Sequence, residues 1–290
     1  MSAELKVTYY LHSGFSCATD RVLLIFDYWL GEHQELARHL RIDPAEFADY
    51  DEIYVFISHS HPDHYDPVVF EWQKDSRVQY IVSGDMPRGV GGHRMFPGDR
   101  LSLSPRVKVQ AYDSTDLGVS FLVRVDAIRI FHAGDLNFWH WREESTLKEI
   151  EEAEQEFQSA VKPLTGETID VAFFPVDPRQ GTMFEAGANY FILQVKPRLL
   201  IPMHYFHRTE IIMEYARTAS SRTTEVLAMP GIGDSILLDF DEEGYMNISF
   251  PKETREKNET EEMLEMISTD NPFSDSDLPL SQLADESNPE

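Results

Sequence analysis

Apolar and polar positions along the 290 residues fall into many short runs, and the period of those runs changes along the chain. Residues 5–11 and 21–27 read as strands, with a turn at Asp20-Arg21 between them. Residues 52–57, Glu-Ile-Tyr-Val-Phe-Ile, are β-branched and aromatic without a breaker, as a strand covered on both faces is. Residues 78–83, 100–103, 107–112, 119–125 and 127–131 continue the strand pattern, the last four as a meander that fits one half of a two-sheet sandwich. The period then lengthens. Residues 143–161 place Leu147, Ile150, Ala153 and Phe157 about one helical turn apart, which predicts a charged helix with one apolar stripe. Residues 68–72, 183–195 and 209–219 also read as helices, and residues 170–174 and 198–203 as strands. Gly231-Ile232-Gly233-Asp234-Ser235 leads into a last strand ending at Asp239.

The densest chemistry follows the strand at 52–57. His59-Ser60-His61-Pro62-Asp63-His64 sets three imidazoles and a carboxylate within six residues. Side chains two apart on a strand share a face, so His59 and His61 emerge together. Pro62 ends the ladder and turns the chain, which brings Asp63 and His64 back to the same point. Asp66-Pro67 is a helix start, a capping side chain followed by a residue pre-set for the first turn. Neutral imidazoles with a carboxylate suit a borderline divalent metal. The ordered pattern arises by chance on the order of once in a thousand chains of this composition, so metal ligation is the reading.

Those six residues resemble the signature of the metallo-β-lactamase-fold hydrolases. Other segments match in order: His12-Ser13-Gly14-Phe15, the strand ending at Asp27, His132-Ala133-Gly134-Asp135, and Ile201-Pro202-Met203-His204. The match spans residues 5–240 and is closest to the branch containing ascorbate-phosphate lactonase. The resemblance implies an αββα sandwich, two β-sheets face to face with helices outside, and a metal site where strand ends meet. It implies one or two divalent ions, zinc first with manganese or iron as alternatives. The ligands it implies are His59, His61, Asp63, His64, Asp135 and His204, with Asp135 shared and Asp63 also orienting the attacking water and shuttling its proton. Asp27 is read as a buttress of the ligand loop or as a solvated carboxylate.

One departure matters. A third histidine for the first metal normally follows the strand matched by residues 107–112, and here the chain reads Asp113-Ser114-Thr115-Asp116. Either carboxylate stands in for the imidazole, or that position is weak. His207 competes with His204 by spacing, and His132 is read as structural. The run Leu136–Trp141 either lines a pocket or plugs the core, and Asp177 and Arg179 are pocket candidates or a turn ion pair. Gly89-Val90-Gly91-Gly92-His93 lacks the Lys-Ser/Thr ending of a phosphate loop and reads as a turn. His33 and His39 read as surface residues.

Charge narrows the partners. With 25 Lys and Arg against 51 Asp and Glu, a net −26, the chain is poorly equipped to displace counterions from nucleic acid. Residues 251–290 form an acidic segment of low hydrophobicity, expected to be a disordered tail beyond a hydrolase domain at 1–250. A short helix around Met263, Leu264 and Ile267, docked on a partner, is the alternative. Cys17 is the single cysteine, so no intrachain disulfide forms and it reads as a small packed residue. No stretch reaches membrane-spanning length and no secretory pattern opens the chain, so the expectation is a cytoplasmic protein without membrane contact. Its expected activity is hydrolysis of a small ester, lactone or phosphoester molecule. The alternatives are a phosphodiesterase or nuclease of the same fold and a metal-binding protein without turnover. Oligomeric state is left open.

Overall fold

Fifteen strands and three α-helices are laid out in the computed structural model, which describes residues 3–31, 40–241 and 243–251. The expectations for His33, His39 and the tail helix lie outside the described residues. The described part belongs to one unit, Met1–Pro251.

The first sheet contains β1 (Ala3–Leu11), β2 (Gly14–Ala18), β3 (Val22–Phe26), β4 (Glu52–Ile57), β5 (Val78–Ser83) and β6 (His93–Met95) in chain order. The second contains β7 (Arg100–Ser102), β8 (Val107–Tyr112), β9 (Ser120–Val125), β10 (Ile128–His132), β11 (Val171–Pro175), β12 (Leu199–Met203) and β13 (Glu225–Val226). Strands β14 (Ser235–Phe240) and β15 (Met246–Ser249) return to the first sheet beside β1, giving the order β15-β14-β1-β2-β3-β4-β5-β6. The second sheet runs β13-β12-β11-β10-β9-β8-β7.

Each sheet joins an antiparallel half to a parallel half. β3, β4, β5 and β6 pair in parallel, as do β10, β11, β12 and β13. In such sheets ligands bind beyond the carboxyl ends of the strands. Here the residues that follow β3, β4, β10, β11 and β12 meet at one rim.

Aromatic residues weld the two inner faces. Phe15 of β2 stacks on Phe173 of β11 with ring centroids 4.1 Å apart, and Phe56 of β4 meets Phe121 of β9 edge-on at 5.4 Å. Such pairs contribute about 0.5–1.5 kcal/mol each beyond their buried area. Outside the second sheet lie α1 (Leu147–Val161), α2 (Ala186–Val195) and α3 (Thr209–Ala219), with Phe191 of α2 stacked on Phe131 and Phe174. On the first sheet the outer cover among the described residues is two 3-10 segments, Pro44–Asp49 and Pro67–Lys74, joined through Phe47 and Trp72. No helix among the described residues is long and apolar enough to cross a membrane.

Several element expectations need correction. Gly14–Ala18 forms a strand although it lacks a β-branched residue, because burial between β1 and β3 overrides local propensity. The helix expected from residue 143 begins at Leu147, where Thr146 and Glu149 form a reciprocal capping box. Leu147 is 77% exposed and does not join the apolar stripe. The Glu143 carboxylate is drawn off to accept from the Thr182 amide and hydroxyl. α2 likewise starts at Ala186 rather than residue 183, and residues 68–72 lie within a 3-10 segment.

Candidate metal centre

β4 is buried along its length, so its direction is fixed by packing on both faces before it releases the ligand loop. His59 and His61 leave it on the same side, His59 Nε2 lying 3.0 Å from His61 Nδ1. Pro62 opens a single 3-10 turn, Pro62–His64, closed by the His64 amide donating to the His61 carbonyl at 3.1 Å. That turn brings His64 back beneath His59, with ring centroids 4.0 Å apart. Asp66 then caps the next segment by accepting from the Val68 amide at 3.0 Å.

Asp135, released from β10, lies between two groups of imidazoles. Its Oδ2 is 3.4 Å from His59 Nε2, while its Oδ1 is 3.1 Å from His64 Nε2 and 3.3 Å from His204 Nε2. One carboxylate therefore faces two candidate metal positions, with an oxygen toward each. Gly134 makes the close approach feasible: it has φ +54, and a Cβ there would sit 2.8 Å from Ser58 Cβ. Gly118 plays the same part in the loop after β8, where a Cβ would overlap the Ser58 carbonyl oxygen.

Carboxylates behind the rings set their tautomers. Asp27 is 1% exposed and accepts from the Ser58 amide at 2.8 Å, the Ser58 hydroxyl at 2.5 Å and His64 Nδ1 at 2.7 Å. Because the Ser58 hydroxyl is committed to Asp27, its oxygen accepts from His59 Nδ1 at 2.9 Å. Asp177 accepts from His204 Nδ1 at 2.9 Å and is itself gripped by the Arg179 guanidinium, which lies over the Phe206 ring at 4.1 Å. In each case the Nδ1 proton points outward and Nε2 faces inward, the arrangement that orients histidines toward a metal.

Among the described residues the atoms so aimed face only one another, at 3.1 and 3.3 Å. His64 Nε2, His204 Nε2 and Asp135 Oδ1 are buried without a hydrogen-bond partner. Each unpartnered buried polar atom costs about 1–3 kcal/mol, so the folded chain tolerates this arrangement at a price that a bound cation removes. Charge gives the same answer. Burial raises the Asp135 carboxyl, yet the neighbouring His64 and His204 outweigh it and hold it well below the carboxylate range. Burial lowers His64, yet Asp135 and Asp27 carry it well above its ordinary value. The cluster demands positive charge, and its mixture of imidazole nitrogen and carboxylate oxygen fits a divalent metal such as zinc.

All six residues singled out from the sequence converge here. Further expectations are resolved as well. Asp27 is a buried buttress, not a solvated carboxylate. Asp177 and Arg179 form an ion pair that holds His204. His132 lies outside the cluster, its Nε2 on the Ser13 carbonyl at 2.8 Å and its ring stacked on Phe26. His207 is exposed, whereas His204 is 4% exposed. Of the two carboxylates considered for the absent histidine, Asp116 Oδ2 comes within 3.7 Å of His61 Nδ1, while Asp113 is exposed and accepts from the Ser114 amide. Trp139 donates its indole N–H to the Asp135 carbonyl at 2.8 Å and places its ring 5.3 Å from His204, so part of the aromatic run lines the centre.

His12 is the residue sequence reasoning missed. It is wholly buried, with Nε2 3.3 Å from Asp63 Oδ2 and its ring 4.0 Å from that of His204. Its signal was a histidine in the turn between two apolar strands, a position where glycine is the inexpensive choice.

Two sheets face to face with a His/Asp cluster at the parallel strand ends define a class. The metallo-β-lactamase fold protein YhfI of Bacillus subtilis matches with TM-score 0.50 at 13% identity, over 85% of this chain and 100% of that one. A metallo hydrolase of Ignicoccus hospitalis matches with TM-score 0.58 at 17% identity, over 82% and 100%. The chain has the metallo-β-lactamase fold. It is also 26% identical over 256 residues to a UPF0173 metal-dependent hydrolase of Opitutus terrae, covering 80% of this chain and 99% of that protein. By sequence it is thus similar to metal-dependent hydrolases, and by fold to the two solved structures. No protein-family profile matches the chain.

Proposed function

We propose that the chain hydrolyses a small ester, lactone or phosphoester. One or two divalent ions, zinc first with manganese or iron as alternatives, are held by His59, His61, Asp63, His64, Asp135 and His204. The observation that carries this reading is the convergence of buried, unpartnered Nε2 and Oδ1 atoms on Asp135. A divalent ion supplies a water whose pKa falls from 15.7 to about 7, together with polarisation of the scissile carbonyl or phosphoryl group.

The protein's own groups do the rest. Asp135 keeps the two halves of the centre in register. Burial raises the Asp63 carboxyl, but His12 and His64 hold it below its ordinary range, so it stays ionised and orients the attacking water. Of the two carboxylates that could stand in for the absent histidine, Asp116, 3.7 Å from His61, serves as the added donor. Trp139, stacked on Trp141 at 6.0 Å, and Phe206, 4.4 Å from His12, give the mouth apolar walls that exclude water and suit a small organic substrate.

The test begins with metal analysis of the purified chain, then chelator stripping and reloading with zinc, manganese or iron. Turnover is assayed on 4-nitrophenyl esters, a lactone panel and bis(4-nitrophenyl) phosphate. Metal-dependent turnover of an ester or lactone supports the reading; preference for the phosphodiester favours the phosphodiesterase alternative. Stoichiometric metal with no turnover on any of the three leaves a metal-binding protein, and a chain that takes up no ion removes the basis of the proposal.

A further inference from the structure

We propose that His12 is a fifth protein ligand of the buried metal position, beside Asp63, His64, Asp135 and His204. The inference rests on the metal-hydrolase reading above and goes beyond the ligand set that the resemblance implies.

Three observations carry it. First, both ring nitrogens of His12 are buried and neither makes a directed hydrogen bond, the one polar neighbour of Nε2 being another candidate ligand, Asp63 Oδ2 at 3.3 Å. Structural histidines nearby behave otherwise: His132 uses Nε2 on Ser13 and accepts the Gly134 amide on Nδ1, and His140 pairs with the Met183 carbonyl and the Arg142 amide. Second, His12, Asp63, His64 and His204 each offer a ligand atom, all within 4.8 Å of one another. Bonds of about 2.0–2.2 Å to a common ion span nearly that distance. Third, the backbone of His12 is in the left-handed region, φ +57, at the first central residue of the two-residue turn joining β1 to β2. Glycine serves that position without strain, so the turn itself gives no reason for an imidazole.

The backbone holds the ring in place. The His12 amide donates to the Tyr9 hydroxyl at 3.0 Å, and its carbonyl accepts from the His204 amide at 3.1 Å. The hairpin of the first sheet is thereby clamped to the end of β12 in the second. His204 is itself at φ +66 and Asp27 at φ +39. Strained non-glycine residues gathered at one point mark a functional site.

The consequence is unequal filling. Three imidazoles and two carboxylates saturate the buried position, so it fills first and holds its ion, while the position at His59 and His61 exchanges. The test is titration of the chelator-stripped full chain with Zn²⁺ against a chromogenic chelator, comparing the wild type with His12→Gly. Glycine removes the imidazole and relieves the turn, and circular dichroism verifies the fold. The expected result is two unequal steps in the wild type, with the tighter one weakened at least tenfold in His12→Gly. Wild-type affinity in the variant overturns the inference. Should the variant not fold, anomalous diffraction from zinc-soaked wild-type crystals decides: an ion about 2.0–2.1 Å from a His12 nitrogen supports the proposal, and one beyond about 3 Å overturns it. A zinc ion bound with His12 remote defeats this inference alone. A wild type that binds no ion defeats both it and the reading on which it rests.

Discussion

The two sides of Asp135 are built differently. On its Oδ1 side stand His64, wholly buried, and His204, 5% exposed, each with its outer nitrogen fixed by a carboxylate. On its Oδ2 side His59 is buried, but His61 is 41% exposed, and the nearest added carboxylate, Asp116, is 39% exposed. Burial with fixed partners pre-organises ligands, whereas an exposed pair is screened by water and must be ordered by the ion itself. On the proposed reading, the contrast lets the buried position hold an ion although the histidine that the resemblance implies is absent from the other. The buried side needs no ordering by the ion, and the other side is open to solvent at His61 and Asp116.

The most disruptive way to break the comparison is to remove the residue both sides share. Asp135→Ala is expected to abolish retention of both ions and to lower turnover about 10³-fold or more, the scale of several kcal/mol of lost charge stabilisation. Metal content and turnover measured on the same preparation check it. An Asp135→Ala chain that keeps one tightly held ion would show that the carboxylate does not bridge. The buttresses come next. Asp27 holds His64 directly and His59 through Ser58, so Asp27→Asn should weaken both positions, by about 10–100-fold. Among the candidate ligands Asp177 touches His204 alone, so Asp177→Asn should weaken the buried position alone. Equal effects from the two variants would erase the distinction between the sides.

What was legible in the sequence follows the same division. His59 to His64 could be read without a structure because four candidate ligands crowd into six residues behind a strand with no polar face. Asp135 and His204 were legible only through resemblance, since a Gly-Asp or Pro-Met-His at a strand end is common and carries no spacing signal. His12 was illegible as a ligand. Its place in the centre depends on a hydrogen bond to the His204 backbone from a distant part of the chain and on a hairpin whose second strand, Gly14–Ala18, has little local propensity. Choosing Asp116 over Asp113 likewise required the loop course, which Thr115 fixes by donating to the Asn137 carbonyl at 2.6 Å. The αββα layering came through the resemblance, while the strands, and a meander fitting one half of a two-sheet sandwich, were readable from the change in period. Helix starts were not, because Glu143 prefers Thr182 to a helical turn.

Acid and base sharpen the contrast in the metal-free chain. Burial raises the Asp177 carboxyl, but His204 and Arg179 outweigh it and hold it at about 2. Its folded value lies below the unfolded value of about 3.9, so its contribution is complete above about pH 4 and is lost as pH falls through about 2. His204 has the opposite sense. Burial lowers it, Asp135 and Asp177 raise it, and the net value is raised. Its contribution is complete below about pH 6.5 and is lost as pH rises through the folded value. Burial lowers His12 and His132, which adds a loss of stability as pH falls below about 6.5, so the metal-free protein should melt highest near pH 6.5, with the Asp177 part on the order of 2 kcal/mol. Reloading zinc, which displaces the proton from His204, should move that optimum upward. A metal-free melting temperature that climbs from pH 6 to pH 8 would contradict the coupling.

The smallest effect belongs to the open side. Asp116 meets His61 at 3.7 Å from a half-exposed loop, and a pair in that setting contributes about 0.2–1 kcal/mol. Asp116→Ala should therefore weaken the second, looser ion by less than about tenfold and leave the first unchanged. Asp116→His tests the same position in the other direction. Imidazole is the donor zinc prefers, and the loop is already tied down by Thr115 and by the Val119 amide on the Ser58 carbonyl at 3.0 Å. Restoring a histidine should tighten zinc at the open side and reduce any advantage of manganese there. If both substitutions leave the second binding step where it was, Asp116 is not the third donor and His59, His61 and Asp135 hold that ion without it.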